Sequence, residues 1–313
     1  MKIGVTGSSG SIGKLLVPLL KENGHDVIKF VRRKPAGEDE AYWSPTKKSI
    51  DMDTFQDMDA IVHLAGESIA PLSIMGFLPF SGERWTKEKR NKIYWSRKLA
   101  AETFLKAYEN STNYPKLFLS ASAIGIYGDH GSNIIEEKSD FIRGTFDQYV
   151  AEEAWETSLA SLKDYDVRLV FGRTGIALGE SMPIVDILKF IWNLNIGGPV
   201  GGGEQYWPWV SIDDVVKGYL FCINNEEIVG PVNLVSPTPI KQKEFSKLLA
   251  KELNRFAIFP IPAFAVKLAI GPELAEALVL SSRRVLPSKL LRYGYKFEHE
   301  HINEYIKEII SNE

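Results

Sequence analysis

The chain has 313 residues, 44% hydrophobic and 25% charged, with 37 Lys and Arg against 40 Asp and Glu and a formal net charge of −3. This is the profile of a folded globular chain, large enough for one big domain or two interlocked ones, and it excludes a disordered one. Without a basic stripe nucleic acid is not an expected partner, and no run is long and apolar enough to span a membrane. Cys222 is the single cysteine, which excludes intrachain disulfides and cysteine-rich metal sites, fits a reducing cytoplasm, and leaves Cys222 as a packing residue.

Lys2 to Thr6 reads as a buried strand, so no secretory leader is expected, and Leu15, Leu16, Leu19 and Leu20 then recur at helical spacing. Between them lie Gly7, Ser9, Gly10, Ser11, Ile12 and Gly13. Strand, glycine turn and helix in that order make a phosphate-binding turn. Gly7 suits the tight bend, Gly10 lets backbone approach a pyrophosphate, and Gly13 lets the helix close on the sheet. Val27 to Val31 is a second strand that ends basic, at Arg32-Arg33, and Met52 to Asp59 is a polar lead-in to a third strand, Ala60 to Gly66. A long apolar loop with Pro71 and Leu78 to Phe80 reads as a lid or packing flap. Thr86 then caps a helix to Tyr108, Lys116 to Ser120 is a strand, Phe146 to Leu162 a helix and Val167 to Phe171 a strand. This alternation predicts an α/β fold with a doubly wound parallel sheet. From Gly172 the character changes, with a glycine-rich run at Gly197 to Gly203, tryptophans at 207 and 209, Asp213 or Asp214 as a helix cap, and proline-bounded helices after Pro237. Residues 1–171, with 206–238 returning to them, are expected to form the nucleotide-binding domain. Residues 172–205 and 239–313 would make a smaller, mostly helical substrate-side region.

Thr6 to Gly13, His63-Leu-Ala-Gly66, Ser120 to Gly128 and Trp209 to Asp214 together resemble the extended short-chain dehydrogenase/reductase superfamily. Arg84-Trp-Thr86, Ser96-Arg97, Arg173 to Gly179 and Ser282 to Gly294 are similar more narrowly to its epimerase-like subgroup, end to end. The resemblance implies a Rossmann fold with bound NAD(P) and a small-molecule substrate; it names no substrate. A homodimer is an assembly it leaves open.

An acid at the end of the second strand marks NAD-preferring enzymes, and here Arg32 and Arg33 stand there, which points to NADP; the alternative is two solvated loop arginines. Leu64, Ala65 and Gly66 would let backbone run close to the cofactor, whereas His63 inside its apolar strand reads as packed. The superfamily's Tyr-x-x-x-Lys pair is missing, since Glu153 stands four residues after Tyr149, and Ala123 falls at the usual serine position. Candidate catalytic groups are therefore Ser122, Tyr127 and Tyr149. Glu67, Arg84 and Trp85 are candidate substrate contacts, with Arg97 either a clamp for an anion or a surface partner of Glu88 or Glu102. Two functions follow: an NADP-dependent oxidoreductase or epimerase with non-standard acid-base residues, or a non-catalytic NADP-binding redox sensor.

Overall fold

A computed structural model of the chain describes residues 1–69, 85–180, 182–256 and 260–311. Its first strand, β1 (Lys2–Thr6), leads into α1 (Ser11–Glu22), then β2 (Asp26–Val31), β3 (Glu40–Ser44), β4 (Ser49–Ile50), α2 (Met52–Gln56) and β5 (Ala60–His63). After α3 (Lys87–Glu109) come β6 (Leu117–Ala123), β7 (Ile134–Ile135), α4 (Phe146–Tyr149) and β8 (Arg168–Thr174). The second half carries β9 (Ile176–Leu178), α5 (Pro183–Asn193), β10 (Tyr206–Trp207), β11 (Trp209–Ser211), α6 (Ile212–Asn224), β12 (Gly230–Leu234), β13 (Ile240–Lys241) and α7 (Gln242–Glu252). It ends with α8 (Ala263–Ile270), α9 (Pro272–Ala275), β14 (Arg284–Val285), α10 (Ser288–Arg292) and α11 (Ile302–Ser311).

Eight strands form the main sheet in the order β12-β8-β6-β5-β1-β2-β3-β4, and every neighbour pair is parallel except the edge pair β3 and β4. This is the doubly wound Rossmann arrangement. Alternation along each strand sorts side chains to two cores. Ile3, Val5 and Val27 pack with Leu16 and Leu20 of α1 and Val215 and Tyr219 of α6, while Ile28, Phe30 and Phe118 face Phe104 and Tyr108 of α3. Strand order reverses between β1 and β5, which run outward from one another to the two edges. Ligands of such sheets sit outside the strand ends at that switch point.

A separate core joins α5, α7 and α11 through Val185, Trp192, Phe245, Leu249 and Tyr305, with Trp209 stacked on Tyr305. Among the described residues no helix is long and apolar enough to cross a membrane.

Several elements differ from expectation. The segment read as one helix from Phe146 is a short α-helical turn that widens to π-helical bonding over Val150–Thr157 and ends as the 3-10 helix Ala160–Tyr165. Within the wide part adjacent residues both turn inward, Trp155 onto Arg97 and Glu156 onto Arg173. Strand β3 carries little signal in the sequence because it is short and its buried Ala41 and Trp43 alternate with only half-buried Glu40 and Tyr42. Ser211, not Asp213 or Asp214, caps α6, and Asp214 completes a capping box by accepting the Ser211 hydroxyl at 2.6 Å. The other Asp214 contacts reach the C-terminal segment, from Tyr295 Oη and the Glu298 and His299 N–H groups.

The far end of α6 is closed by Arg168. Its guanidinium donates to the carbonyls of Cys222, Ile223, Asn225 and Ile228 at 2.9–3.1 Å, supplying acceptors that a helix C terminus leaves unpaired. Arg168→Met should lower the unfolding free energy by about 2–4 kcal/mol, because charged hydrogen bonds of about 1.5–3 kcal/mol each are lost in a half-buried site. Urea melts measure this, and a change under about 0.5 kcal/mol would show that the helix end is held by other contacts.

Candidate functional site

At the β1–α1 turn the backbone is tighter than any side chain allows. Gly7 has φ +73°, and a Cβ on Gly13 would lie 2.3 Å from the Gly7 carbonyl oxygen. A Cβ on Gly7 would meet the Ala65 nitrogen at 2.8 Å, so the turn after β1 rests directly on the segment after β5. Gly10 stands at the N-cap with no side-chain cap, and the first turn holds no acid. The leading N–H groups of α1, with the positive end of the helix dipole, therefore face outward without a protein acceptor. Ser9 and Gly10 are exposed there, Ser11 and Ile12 half-buried and Gly13 buried.

The two arginines after β2 separate. Arg33 is bidentate to Glu40 on β3, at 2.6 Å for each nitrogen, and also donates to the Lys34 carbonyl. Arg32 is exposed and has no hydrogen-bond or ion-pair partner among the described residues. Glu40 is thus occupied by Arg33 and by the Ala36 N–H, and the neighbouring Asp39 by Lys21 and Lys29.

On the β5 side, His63 is fully buried, shares a 2.7 Å hydrogen bond with Thr6 Oγ1 and meets Trp43 and Phe104 edge-on. Burial, with Arg97 adding repulsion, pushes its imidazole down to about 3. It packs as a neutral ring. Leu64 and Ala65 are half-buried and Gly66 exposed, in line with the Gly7 contact. Glu67 pairs with Lys89 at 2.7 Å, and its N–H donates to Ser96 Oγ at 3.0 Å. Arg84 and the loop residues Pro71 and Leu78 to Phe80 lie outside the described residues. Trp85 is not a free aromatic wall: its indole N–H donates to the Ile69 carbonyl and its ring meets Phe146 edge-on at 5.0 Å.

The three hydroxyl candidates do not converge. Ser122 is buried and gives its proton to Glu156 Oε1 at 2.7 Å; Glu156 is in turn gripped by Arg173 at 2.7 and 2.8 Å. Tyr127 is corrected to a structural residue. Its phenol is fully buried, donates to Asn233 Oδ1 at 2.6 Å, accepts from Arg173 and is pushed up by burial to about 12. Tyr149 alone keeps an accessible ring, 48% exposed and stacked on Tyr94 at 5.6 Å, with Glu153 exposed on the same segment. Trp207 and Trp209 pack, each indole donating to a backbone carbonyl, of Val279 and Thr238.

The sequence model of the NAD dependent epimerase/dehydratase family matches residues 3–234. The chain belongs to this family. Behind that region, residues 261–309 match DUF1731, a domain of unknown function. An epimerase family protein of Mycobacterium leprae is 30% identical over 302 residues, covering 96% of this chain and 93% of its own. The human epimerase family protein SDR39U1 (isoform 2), solved with NADPH, has a TM-score of 0.85 at 25% identity, with 100% of both chains covered. UDP-glucose 4-epimerase of Thermus thermophilus, solved with NAD, shares the fold at a TM-score of 0.72 and 17% identity over 99% of this chain and 98% of its own.

In this epimerase family member the DUF1731 segment is bound to the sheet end by buried ions that sequence reading missed. Arg283 donates to Asp147 Oδ2 at 2.9 Å and to the Gly128 and Ala277 carbonyls, and buried Glu137 accepts the Lys289 and Asn233 N–H groups. Arg173 and Arg283 each lie within a motif singled out above, whereas Glu156, Asp147 and Glu137 carry no local signal that marks them as partners. Of the two readings of Arg97, surface pairing with Glu88 or Glu102 does not hold. Glu88 pairs with Lys92 and Glu102 with Lys48, while Arg97 is buried.

The His63 environment fixes a pH response. In the unfolded chain a histidine takes up its proton below about pH 6.5, whereas folded His63 resists protonation down to about 3, so its contribution to stability is lost as pH falls through that window. The stability difference between wild type and His63→Leu should shrink from pH 7 to pH 5, approaching a slope of about 1.4 kcal/mol per pH unit. Urea melts of both proteins at the two pH values test this, and parallel pH dependence would show an ordinary, accessible histidine.

Proposed function

We propose that this protein binds NADP and serves hydride transfer on a small carbonyl, hydroxyl or sugar-nucleotide substrate. The observation that carries the reading is the uncapped N terminus of α1 above the Gly7 turn, with unpaired Arg32 at the end of β2. Gly7, Ser9, Gly10, Ser11, Ile12 and Gly13 would hold the pyrophosphate, Leu64, Ala65 and Gly66 the backbone-lined flank, and Arg32 the 2′-phosphate. Arg33 contributes by drawing Glu40 away, since a free carboxylate there would accept ribose hydroxyls and repel a phosphate. The NADPH in the human relative's structure supports the same choice. When bound, the nicotinamide supplies the hydride chemistry.

Proton handling is assigned to Tyr149, the one candidate whose phenol reaches solvent. Its neighbour at position 153 is a carboxylate where the superfamily pattern has lysine, so the phenol lacks the cation that would ease its ionisation. A second reading has its own support: with the Ser122 proton held by Glu156 and Tyr127 held by Asn233, the chain keeps a cofactor cradle without the familiar acid-base pair, as a redox sensor would. Reduced-cofactor absorbance followed against aldehydes, ketones and sugar nucleotides separates the two. Turnover that falls at least tenfold in Tyr149→Phe supports the enzyme, and tight NADPH binding with no turnover across the panel supports the sensor.

Cofactor choice is tested at Arg32. Arg32→Asp should invert the NADPH over NADH preference, with about tenfold to a hundredfold lost for the phosphate contact, as charge-assisted bonds of about 1.5–3 kcal/mol imply. Binding titrations with both nucleotides measure the ratio, and an unchanged ratio in the variant would remove Arg32 from the site.

A further inference from the structure

Arg97 is 3% exposed on α3, and among the described residues no carboxylate lies within ion-pair distance of it. Glu67, whose charge acts on it through space, pairs with Lys89, and the nearest acids along α3, Glu88 and Glu102, pair with Lys92 and Lys48. A buried cation without an anion is strongly unfavourable, and isolated arginines are rarely buried unless something completes them. The fold completes this one only in part. Nη1 donates to the Ile93 carbonyl at 2.8 Å and lies 3.5 Å from Ser96 Oγ, while Nε is buried with no acceptor, so most of the five N–H donors are unspent.

The guanidinium is nevertheless held in a defined plane. It lies over the Trp155 ring at 4.0 Å, and the indole Nε1, also buried, has no acceptor either. Gly66 also lies against it. A Cβ at that position would stand 3.2–3.5 Å from the guanidinium carbon and both terminal nitrogens, and Gly66 is exposed. The glycine therefore acts as a window from solvent onto the cation. The window opens beside Leu64 and Ala65, the residues on which the Gly7 phosphate turn rests. Burial lowers the guanidinium to about 9 with Glu67 opposing, which leaves it charged at neutral pH.

We propose that Arg97 is an oxyanion receptor beneath Gly66, reserved for a phosphate or carboxylate of a ligand bound in the cleft. The proposal rests on the cofactor-binding reading above for its location, and on the unpaired guanidinium for its chemistry. A planar fork of donors stacked on an indole matches the two oxygens of such a group. The oxyanion comes either from the dinucleotide or from a second ligand beside it.

Wild type, Arg97→Met, Arg97→Lys and Gly66→Ala are to be titrated calorimetrically with NADPH, and with inorganic phosphate both alone and after saturation with NADPH. Met keeps the packing on Trp155 without the charge; Ala keeps the charge and narrows the window. Arg97→Met is expected to leave the melting temperature of the free protein unchanged or raised, since it removes an unpaired buried charge, and to weaken one of the probes at least tenfold. Arg97→Lys and Gly66→Ala should fall in between. A loss for NADPH assigns the oxyanion to the dinucleotide, and a loss confined to phosphate on the NADPH-loaded protein assigns it to a second ligand. Equal affinities of wild type and Arg97→Met for both probes overturn the proposal, as does wild type that binds neither. Wild type that binds phosphate but not NADPH refutes the proposed function and leaves the phosphate arm to decide Arg97. If Arg97→Met does not fold, a threefold or greater weakening of one probe in Arg97→Lys or Gly66→Ala supports the proposal, and wild-type affinity for both probes in both variants overturns it.

Discussion

The contact between Gly13 and the Gly7 carbonyl sets the geometry on which the rest of the site depends. With only 2.3 Å available for a Cβ, α1 can start close above β1, and its first-turn N–H groups are carried to the point where the strand order reverses. Gly7 transmits the same constraint sideways, since its own missing Cβ lets Leu64 and Ala65 close against the turn. Two strand ends and a helix terminus thus share one small volume. This brings backbone donors, an unpaired arginine after β2 and an exposed glycine after β5 to the same end of the sheet. The stiffness of close-packed backbone makes this arrangement cheap to maintain and easy to break.

A second layer of constraint comes from buried ions. Arg173 with Glu156 joins β8 to the π-helical segment, and Arg283 with Asp147 joins the C-terminal segment to α4. Each pair is completed by further bonds, to Tyr127 and the Glu137 carbonyl in one case and to the Gly128 and Ala277 carbonyls in the other. Completed pairs of this kind add little net stability over apolar packing, but losing one partner strands a charge and costs about 3–5 kcal/mol. Their effect is to fix position. Strand β14 pairs with β7, and Asn233 Nδ2 donates to the Leu286 carbonyl, so the late segment closes over the strand ends of the nucleotide-binding half. The DUF1731 segment is in this sense fastened to the end of the sheet.

How much of this was legible in the sequence follows from the range of the interactions. Local signals read well: the strand-glycine-helix order at Gly7 to Gly13, the Thr86 cap of α3, and the apolar strands whose alternation fills two cores. Through-space partnerships did not. Whether Arg33 or Arg32 is free depends on Glu40, seven residues past Arg33 on a strand marked only by Ala41 and Trp43. The Ser122 proton depends on Glu156, 34 residues away, and the fate of Tyr127 on Asn233, 106 residues away. Charge composition cannot distinguish Arg97 buried on Trp155 from an arginine on a solvated helix face. That decision belongs to the packing of Trp155, which turns inward only because the helix widens there.

These partnerships also alter what the missing lysine means. A superfamily site built on tyrosine and lysine places its cation on the helix that follows β6; here that helix offers Glu152 and Glu153 and turns Glu156 inward to Arg173. Positive charge at this end of the sheet comes instead from α3, through Arg97 against Gly66 and Lys89 on Glu67, and from Arg32 after β2. A cation on α3 lies behind the backbone rather than beside a phenol, so it can fix the charge of a ligand but cannot ease the ionisation of Tyr149 by direct pairing. In the proposed function, binding and proton transfer, which one lysine links in the familiar arrangement, are assigned to different elements. The cradle at Gly7 to Gly13 is accordingly common to both proposed readings, and the choice between them rests on Tyr149, the one of the three hydroxyl candidates with an exposed ring.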